Sequence, residues 1–431
     1  MSTVMQTSPA CQTKRLRFLL DRVSSSERQL LAARSSTVTF LPMEAIGERG
    51  ELDQSATREL EDVRTGYSVF KDGDVVVAKI TPCFENGKGA VIHSTLSGIG
   101  FGTTELHVLT PGPGLDSRFL YYVTASPEFR WRGAALMTGA AGQQRVPEDF
   151  IRDFPVLALP LARQQAIVRF LDQELSRLDG VVAAKSWQVE LLAEKRKAII
   201  ASAVTRGIDP RAKLRDSGLP WLGEIPRHWE VRRVKTVSEF ITSGPRGWSE
   251  RVGDDGSLFI QSGDLNDLLQ VEFGTAKRAR VDDDAEAART KLENGDVVVC
   301  ITGAKTGNVA VCVEVPEPAY VNQHLCLVRP SSAVLPSYLG SSLKSSVGQM
   351  QFALFQYGLK QGLSLENVRE VLIVLPPLDE QYAIVVHIAR ETTKLDNVRA
   401  ATERTIALLK ERRAALIAAA VTGQIDVGVA A

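Results

Sequence analysis

The 431-residue chain has few cysteines and few histidines, with five of each. The odd number of cysteines and the absence of a Cys-x-x-Cys pair argue against a disulfide framework, and the histidines are too scattered for a metal cluster. No run of about 18 apolar residues is present, so no membrane span is predicted. Residues 1–12 are polar and uncharged and have no apolar signal core. These absences predict a cytoplasmic protein.

Several catalytic motifs are also missing. No Gly-x-Gly-x-x-Gly opens a helix after a strand, and neither His-Glu-x-x-His nor Gly-x-Ser-x-Gly occurs. The stretch Gly303-Ala304-Lys305-Thr306 lacks the glycines of a phosphate-binding loop and is predicted to be a turn. Asp282-Asp283-Asp284 is interpreted as a solvated acidic loop rather than a metal site. No nucleophile, base and oxyanion site come together in the sequence, so the chain is predicted not to be an enzyme.

No charge of either sign dominates, because 51 Lys and Arg balance 51 Asp and Glu. A lone, tight DNA-binding protein is usually basic. The bases nevertheless cluster in one segment, where only Asp209, Asp216, Glu224 and Glu230 oppose them. This basic belt consists of Lys195, Arg196, Lys197, Arg206, Arg211, Lys213, Arg215, Arg227, Arg232, Arg233 and Lys235. This belt either contacts the phosphates of a nucleic-acid backbone or is a solvated helix end and linker.

The sequence contains a long internal repeat. Residues 160–209 align with residues 377–426 without a gap, at an offset of 377 − 160 = 217. Pro160-Leu161 corresponds to Pro377-Leu378, and Gln164 corresponds to Gln381. The repeat unit is about half of the chain, far longer than a solenoid repeat. It predicts two similar halves and an approximate internal two-fold.

The repeated segments are predicted to be long helices that end at Gly207 and Gly423. Their apolar residues recur at alternating steps of three and four, which is typical of a coiled-coil seam. The predicted interface consists of Leu171, Leu175, Leu178, Val182, Val189, Leu192, Ile199, Ile388, Leu395, Ile406, Leu409 and Leu416. The polar residues on this stripe are Lys185, Arg196, Thr392, Arg399, Thr402 and Arg413. Antiparallel pairing of the two helices is the simplest arrangement, and the alternative is that each helix packs only on its own domain.

The segments before the two helices are rich in short strands. Residues 74–78, 89–92 and 105–109 alternate with glycine and proline and predict β-strands, and a helical patch follows at residues 117–132. Residues 294–299 and 322–328 repeat this pattern in the second half. The predicted fold class is therefore α+β, with two mixed, strand-rich domains and two long helices. Outside the helices the halves share a pattern but little residue identity, so one scaffold carries two different surfaces.

In this arrangement the chain resembles the specificity subunit of type I restriction–modification enzymes. The resemblance rests on two globular halves, each followed by a helix that opens with Pro-Leu-x-x-Gln, and on the segment from Ser217 to Trp229. Leu191-Leu192-x-Glu194-Lys195-Arg196 and its counterpart Leu408-Leu409-Lys410-Glu411-Arg412-Arg413 resemble the ends of the family's helices. Residues 81–89 and 142–146 resemble a recurrent type of target-recognition domain. The resemblance covers the chain from about Lys14, although the first half lacks a counterpart of residues 221–229.

The resemblance implies a division of the chain into reading and spacing parts. Residues 14–159 and 227–376 are expected to be target-recognition domains, and residues 160–206 and 377–423 the spacer helices. Residues 1–13 are expected to be a flexible N-terminus, residues 207–226 a linker, and residues 424–431 a C-terminal tail. The helices would set the gap between the two halves of a bipartite target in double-stranded DNA.

The resemblance also implies partners. Two modification subunits would methylate adenine with S-adenosylmethionine, and restriction subunits would use ATP and Mg²⁺, so no cofactor is expected in this chain. The partners would supply much of the phosphate neutralisation that a neutral chain lacks. The alternative is a non-catalytic coiled-coil scaffold that organises protein partners without reading DNA, and that alternative predicts no basic groove on the globular halves.

Base readout requires side chains with paired donors and acceptors, namely Arg and Lys for guanine and Asn and Gln for adenine. Such residues concentrate in the glycine-rich loops. The candidates for DNA contact are Lys79, Thr81, Asn86, Lys88, Gln143, Gln144 and Arg145 in the first half, and Thr302, Lys305, Thr306, Asn308, Asn322, Gln323, Lys360 and Gln361 in the second.

Overall fold

The computed structural model describes residues 12–22, 36–96, 98–140, 142–356, 362–425 and 427. The chain divides into two compact units. Unit 1 comprises residues 1–186 and 404–431, and unit 2 comprises residues 187–403. Each unit contains one strand-rich domain and part of each long helix. Among the described helices, none has the length and apolar character that a bilayer crossing requires.

Within the described residues of unit 1, the strand-rich domain has nine short strands and four short α-helices. The strands are β1 (Thr13–Arg15), β2 (Thr37–Leu41), β3 (Thr57–Glu59), β4 (Ser68–Lys71), β5 (Val75–Ala78), β6 (Gly89–Val91), β7 (Ile99–Gly102), β8 (Leu106–Leu109) and β9 (Pro155–Leu157). The helices are α1 (Leu60–Val63), α2 (Ser117–Ala125), α3 (Pro127–Ala135) and α4 (Glu148–Asp153). The three strands predicted between residues 74 and 109 are therefore confirmed.

These strands form small sheets around a buried centre. The first sheet has the order β3-β2-β7-β4, the second β6-β5-β8, and β1 pairs with β9. All four residues of β5 are fully buried, as expected for a continuous apolar strand with neighbours on both sides. The helical patch at residues 117–132 is divided into α2 and α3, because Ser126 is extended and caps α3 through its hydroxyl. Pro127 explains the break, since proline disfavours helical backbone in the preceding residue.

In unit 1 the beginning of one long helix packs against the end of the other. The first helix, α5 (Leu161–Arg206), contributes Leu171, Leu175 and Leu178 to the same core as Ile417 of the second, α10 (Leu378–Val421). Arg413 Nε lies 3.3 Å from Asp179 Oδ1. A Cβ atom on Gly423 would lie 3.0 Å from Leu157 Cδ1, so α10 ends beside the strand that precedes α5. The two segments are therefore antiparallel within this unit.

The strand-rich domain of unit 2, apart from residues 357–361, which the structure does not describe, has twelve strands and four short α-helices. The strands are β10 (Leu214–Asp216), β11 (Glu224–Pro226), β12 (Glu230–Arg233), β13 (Ser238–Ser243), β14 (Val252–Gly253), β15 (Ser257–Ile260), β16 (Lys277–Ala279), β17 (Val297–Cys300), β18 (Val309–Val311), β19 (Ala319–Val321), β20 (Leu325–Pro330) and β21 (Leu372–Leu375). The helices are α6 (Ala285–Thr290), α7 (Pro336–Lys344), α8 (Ser346–Phe355) and α9 (Leu365–Glu370).

Unit 2 has the same construction as unit 1. Strand β17 lies between β18 and β20, as β5 lies between β6 and β8. Strand β15 pairs parallel with β19 and antiparallel with β16, as β2 pairs with β7 and β3. The prediction that the two halves share one scaffold is confirmed at the level of strand pairing.

The segment at residues 207–226 is more ordered than the linker that the sequence suggested. Strands β10 and β11 form an antiparallel hairpin in it, and Ile225 is fully buried in the core of unit 2. Arg215 donates from Nη2 to the carbonyl of Trp229 at 2.8 Å and ties the hairpin to the domain. A second difference is at the N-terminus, where Thr13 already belongs to β1 because its strand pairs with β9.

Helix pairing in unit 2 uses the same contacts at repeat-equivalent positions. Arg196 Nε lies 3.4 Å from Asp396 Oδ1. Adding the repeat offset of 217 to Arg196 gives Arg413, and adding it to Asp179 gives Asp396. The Arg–Asp pair of unit 2 is thus the counterpart of the pair in unit 1. The predicted antiparallel pairing is confirmed within each unit.

The buried glutamine of Pro-Leu-x-x-Gln explains the motif. Gln164 accepts from the backbone N–H of Asp116 at 2.9 Å and donates to the carbonyls of Gly114 and Leu159, each at 2.8 Å. Gln381 accepts from Leu335 N–H at 2.8 Å and donates to two carbonyls. Each glutamine therefore fastens the start of its long helix to the loop before the first α-helix of the helical pair in its own domain.

The predicted interface residues lie at different depths. Leu171, Leu175, Leu178, Val182 and Ile388 are buried, and the other seven are half-buried. Thr392 and Thr402 on the stripe are also buried. Each hydroxyl donates to the carbonyl four residues earlier, so neither buried hydroxyl lacks a hydrogen-bond partner. Of the cysteines, Cys300, Cys312 and Cys326 are buried and unbridged as predicted, Cys83 is half-buried, and Cys11 lies outside the described residues.

Candidate nucleic-acid interface

Four candidate residues of unit 1 lie on two neighbouring segments. Residues 79–81, which continue β5, run beside residues 144–146: Thr81 N–H donates to the carbonyl of Gln144 at 2.9 Å, and Val146 N–H donates to that of Lys79 at 2.8 Å. The structure thus brings Lys79, Thr81, Gln144 and Arg145 together across more than 60 positions of sequence. Gln143 is exposed in the adjoining loop.

Arg145 forms the best-defined polar contact of this group. Its Nε and Nη2 atoms donate to the two carboxylate oxygens of Glu105, both at 2.9 Å. The hydrogen bond with Arg145 lowers the pKa of Glu105, which is mostly shielded from solvent, while Arg145 stays about half exposed. A bidentate pair holds the guanidinium plane in a fixed orientation. Arg145 is therefore held in one orientation at the surface.

Arg145 and Lys79 open onto a groove of about 860 Å³. Three further arginines line it, Arg17, Arg22 and Arg152, against the acidic residues Asp21 and Glu148. The lining thus carries five bases and two acids, and Arg145 and Arg17 also pair with Glu105 and Asp153, so the surplus is one positive charge. A surplus of positive charge in a concave surface is what a phosphate backbone requires.

His107 forms part of the groove wall. Its Nε2 lies 2.9 Å from the carbonyl of Val146, which can only accept, so Nε2 carries the proton. Burial lowers the pKa of His107 below its usual value. At neutral pH the imidazole is therefore uncharged, and its hydrogen bond connects β8 with residue 146.

Sequence reasoning missed Arg17, Arg22, Glu105, His107 and Arg152 as parts of this surface. The cluster Lys14-Arg15-Leu16-Arg17 was a visible local basic signal. Glu105 carried no such signal, because its significance depends on an arginine 40 residues away.

The remaining candidates of unit 1 lie in the loop between β5 and β6. Asn86 is exposed next to Gly87, whose φ of +88° is in the left-handed region. Lys88 is half-buried and donates from Nζ to the carbonyl of Met43 at 2.9 Å. The ammonium of Lys88 therefore stabilises the domain itself, whereas the side chain of Asn86 is exposed to solvent.

In unit 2 the loop between β17 and β18 carries four candidates. Thr306 N–H donates to the carbonyl of Gly303 at 3.1 Å, so Gly303 to Thr306 form the predicted turn. Lys305 is exposed and reaches the carbonyl of Gly263 at 3.3 Å. The hydroxyl of Thr302 lies 2.5 Å from His324 Nδ1.

Asn308 connects this loop with its surroundings. Its Nδ2 donates to the carbonyl of Leu265 at 3.1 Å, and its Oδ1 accepts from Lys344 Nζ. Burial lowers the pKa of Lys344. Lys305, Thr306, Asn308 and Lys344 line a polar pocket of about 520 Å³ together with Asp267 and Glu272.

Two candidates of unit 2 have other surroundings than the sequence suggested. Asn322 is buried, and its Oδ1 accepts from His324 N–H at 3.0 Å, so it forms a turn. Gln323 Nε2 lies 3.3 Å from His324 Nε2. Lys360 and Gln361 lie outside the described residues.

The basic belt contributes several of its charges to the domain. Arg233 Nε lies 2.7 Å from Glu370 Oε2, and Lys235 pairs with the same carboxylate. Asp284 of the acidic run 282–284 accepts from Ala287 N–H at 2.8 Å and caps α6. Within the described part of the chain, no three His, Cys, Asp or Glu side chains are grouped so as to hold a metal ion.

Comparison with known proteins shows what most of unit 2 is similar to. Residues 226–406 match the family described as the type I restriction modification DNA specificity domain. The specificity subunit of the type I restriction enzyme EcoAI from Escherichia coli is 40% identical over 144 residues. That alignment covers 33% of this chain and 24% of the relative, so the chain spans about a quarter of that relative's length.

Two solved structures share the fold of the whole chain. One, from a study of complex assembly and conformational transition of the type I R-M system, has a TM-score of 0.78 and 18% identity, and the alignment covers 97% of this chain and 100% of that one. The other, the HsdS subunit from Thermoanaerobacter tengcongensis, has a TM-score of 0.55 and 18% identity, with 99% and 100% covered. The likeness therefore includes unit 1, which the family match does not reach.

Proposed function

We propose that this chain, which resembles the specificity subunits of type I restriction enzymes in sequence and in fold, is the DNA-reading subunit of such an enzyme. The match of residues 226–406 to a DNA specificity domain carries the proposal, and unit 1 repeats the construction of unit 2. Each unit would read one half of a bipartite target in double-stranded DNA. The scaffold alternative predicted no basic groove, and the groove of unit 1, with more bases than acids, favours DNA contact.

Arg145 and Lys79 are the residues that we assign to target contact in unit 1. Glu105 takes up Nε–H and one N–H of Nη2, and Nη1 donates to the carbonyl of Gln143 at 3.2 Å. The remaining N–H groups of Nη1 and Nη2 would contact O6 or N7 of guanine, the base that arginine reads most often. The neighbouring arginines of the groove would contact phosphates, which position the protein without reading sequence. In unit 2, Lys305 and Thr306 occupy the corresponding loop.

The chemistry would belong to the partners. Modification subunits would bind S-adenosylmethionine and methylate adenine, and restriction subunits would use ATP and Mg²⁺ to move along and cut DNA. This chain would select the target and hold these subunits, without catalysis of its own. Its net charge of zero fits a subunit that shares phosphate contacts with its partners.

The test is to map methylated adenines in cells that express the full chain with its modification subunits. We expect a two-part sequence with a constant gap. Arg145→Ala and Lys79→Ala should each weaken methylation of the half read by unit 1, by about tenfold per lost base contact. Arg132→Ala removes an exposed arginine outside the groove and serves as the matched control. Methylation that needs no defined sequence, or unchanged preference in both groove variants, contradicts the assignment.

A further inference from the structure

The loop that carries candidate contacts is built around a glycine in both units. Gly87 follows Asn86 and precedes Lys88, and Gly307 lies between Thr306 and Asn308. Their φ angles are +88° and +89°, a conformation that side-chain-bearing residues rarely adopt. Gly87 lies two residues before β6 and Gly307 two residues before β18, so the two glycines are equivalent.

In unit 1 a buried arginine of α3 binds this loop from behind. Arg130 donates from Nη1 to the carbonyl of Phe84 at 2.9 Å and from Nη2 to that of Gly87 at 3.1 Å. Its guanidinium carbon lies 4.9 Å from the centre of the Phe84 ring. Burial lowers the pKa of Arg130 to about 10, so it remains charged at neutral pH. Arg130 is only 8% exposed and therefore acts on the loop rather than on a ligand.

In unit 2 a glutamine of α8 occupies the same place. Gln349 donates from Nε2 to the carbonyl of Gly307 at 2.8 Å and to that of Leu343 at 2.9 Å. Ser126 and Ser345 cap α3 and α8 through their hydroxyls. Arg130 comes four residues after Ser126 (130 − 126 = 4), and Gln349 comes four residues after Ser345 (349 − 345 = 4). The two side chains thus leave equivalent helix positions and reach equivalent glycine carbonyls.

We infer that Arg130 and Gln349 are positioning residues, each of which holds the glycine of its own loop. Asn86 in unit 1 and Lys305 and Thr306 in unit 2 would then face the DNA in a fixed geometry. The inference rests on the proposed function and deepens it. A hydrogen bond to the glycine carbonyl restricts rotation of the backbone at the turn, next to the residues that are candidates for DNA contact. In unit 1 the loop is held at two carbonyls, and in unit 2 at one.

The test uses the full chain assembled with its modification subunits and duplexes that carry the mapped bipartite target. Arg130→Met keeps the approximate length of the side chain but removes the donor to the carbonyl of Gly87, and it leaves the carbonyl of Phe84 with only the backbone N–H of Gly87. We expect the ratio of binding to the cognate duplex over duplexes with one changed base to fall about tenfold in the half read by unit 1. Discrimination in the other half should stay unchanged. Arg130→Lys, which keeps one donor, should recover part of the ratio.

Gln349→Met should produce the same loss in the half read by unit 2. Gln351→Met is the matched control, since Gln351 lies on the same helix and is buried but bonds Leu372 instead of the loop. It should lower thermal stability without a change in discrimination. If Arg130→Met and Gln349→Met lower stability and binding of all duplexes equally, the positioning role is refuted. If the complex without any substitution binds every duplex with the same affinity, the proposed function itself is contradicted.

Discussion

Asp74 of unit 1 and Asp296 of unit 2 occupy the same place before the central strand, and both carboxylates are buried. Asp74 accepts from the hydroxyl of Thr110 at 2.7 Å, whereas Asp296 forms a two-pronged pair with Arg329 at 2.8 Å. Thr110 and Arg329 each follow the residue that pairs with the first residue of the central strand. The buried carboxylate at this position thus accepts from a neutral hydroxyl in unit 1 and from a charged guanidinium in unit 2.

The two units also differ in which segment contributes the aromatic ring that packs between the loop and the helix. In unit 1 the ring beside the reading loop comes from the loop, as Phe84 packs against Gly133 of α3. In unit 2 the ring comes from the helix, as Phe352 of α8 lies beside Gly307 of the loop. Because packing depends on filled volume and not on which chain segment supplies it, the two halves can diverge in sequence and keep one fold.

The strongest way to break the comparison is to remove the donors to the two aspartates. Arg329→Met leaves a buried carboxylate without its cation and should lower the free energy of unfolding of unit 2 by about 3–5 kcal/mol. Thr110→Val removes one neutral donor to Asp74 and should cost unit 1 about 1–3 kcal/mol. Urea unfolding with hydrogen exchange of β5 and β17 measures both. Equal losses in the two units would contradict the distinction drawn between them.

The two buried glutamines sharpen the comparison, because here the units use identical means. Gln164→Ala and Gln381→Ala each leave one N–H and two carbonyls without a side-chain partner. Each should lower the free energy of unfolding by about 2 kcal/mol, with nearly equal values at the two sites. Gln173→Ala, at an exposed position of α5, is the control and should have a smaller effect. A large inequality between the two glutamines would show that the repeat is not equivalent in energy.

The smallest expected difference concerns pH. His107 of unit 1 corresponds to Cys326 of unit 2, since each follows the leucine that pairs with the last residue of the central strand. Burial lowers the pKa of His107 and raises that of Cys326. As pH falls below about 6.5, the unfolded state therefore binds the proton more readily than the folded state, and unit 1 loses stability. His107→Cys should remove this acid dependence, as measured by unfolding at pH 7.5 and at pH 5.5, whereas persistence of the full dependence would exclude His107 as its source.

Part of this molecule was predictable because it depends on local order in the chain. The helix ends follow from Gly207 and Gly423, whose φ angles are +75° and +72°. The strands around residues 75–109 follow from short apolar runs between turn residues. The proposed function follows from a resemblance and from the chemistry of Arg, Lys, Asn and Gln, while the contact residues remain predictions. The hairpin at residues 207–226 was missed, because glycine and proline mark tight turns inside domains as well as linkers.

The sequence by itself determined the repeat, the long helices and the alternation of strands, since hydrophobic period and turn residues act between near neighbours. Only the tertiary structure decided which candidates share a surface. Arg145 meets Glu105, Lys344 meets Asn308, and Asn322 is buried, all through contacts between distant segments. The same holds for Arg130, which the sequence showed as one more arginine. Its role arises because folding brings α3 behind a loop more than 40 residues earlier, where Arg130 donates to the carbonyls of Phe84 and Gly87.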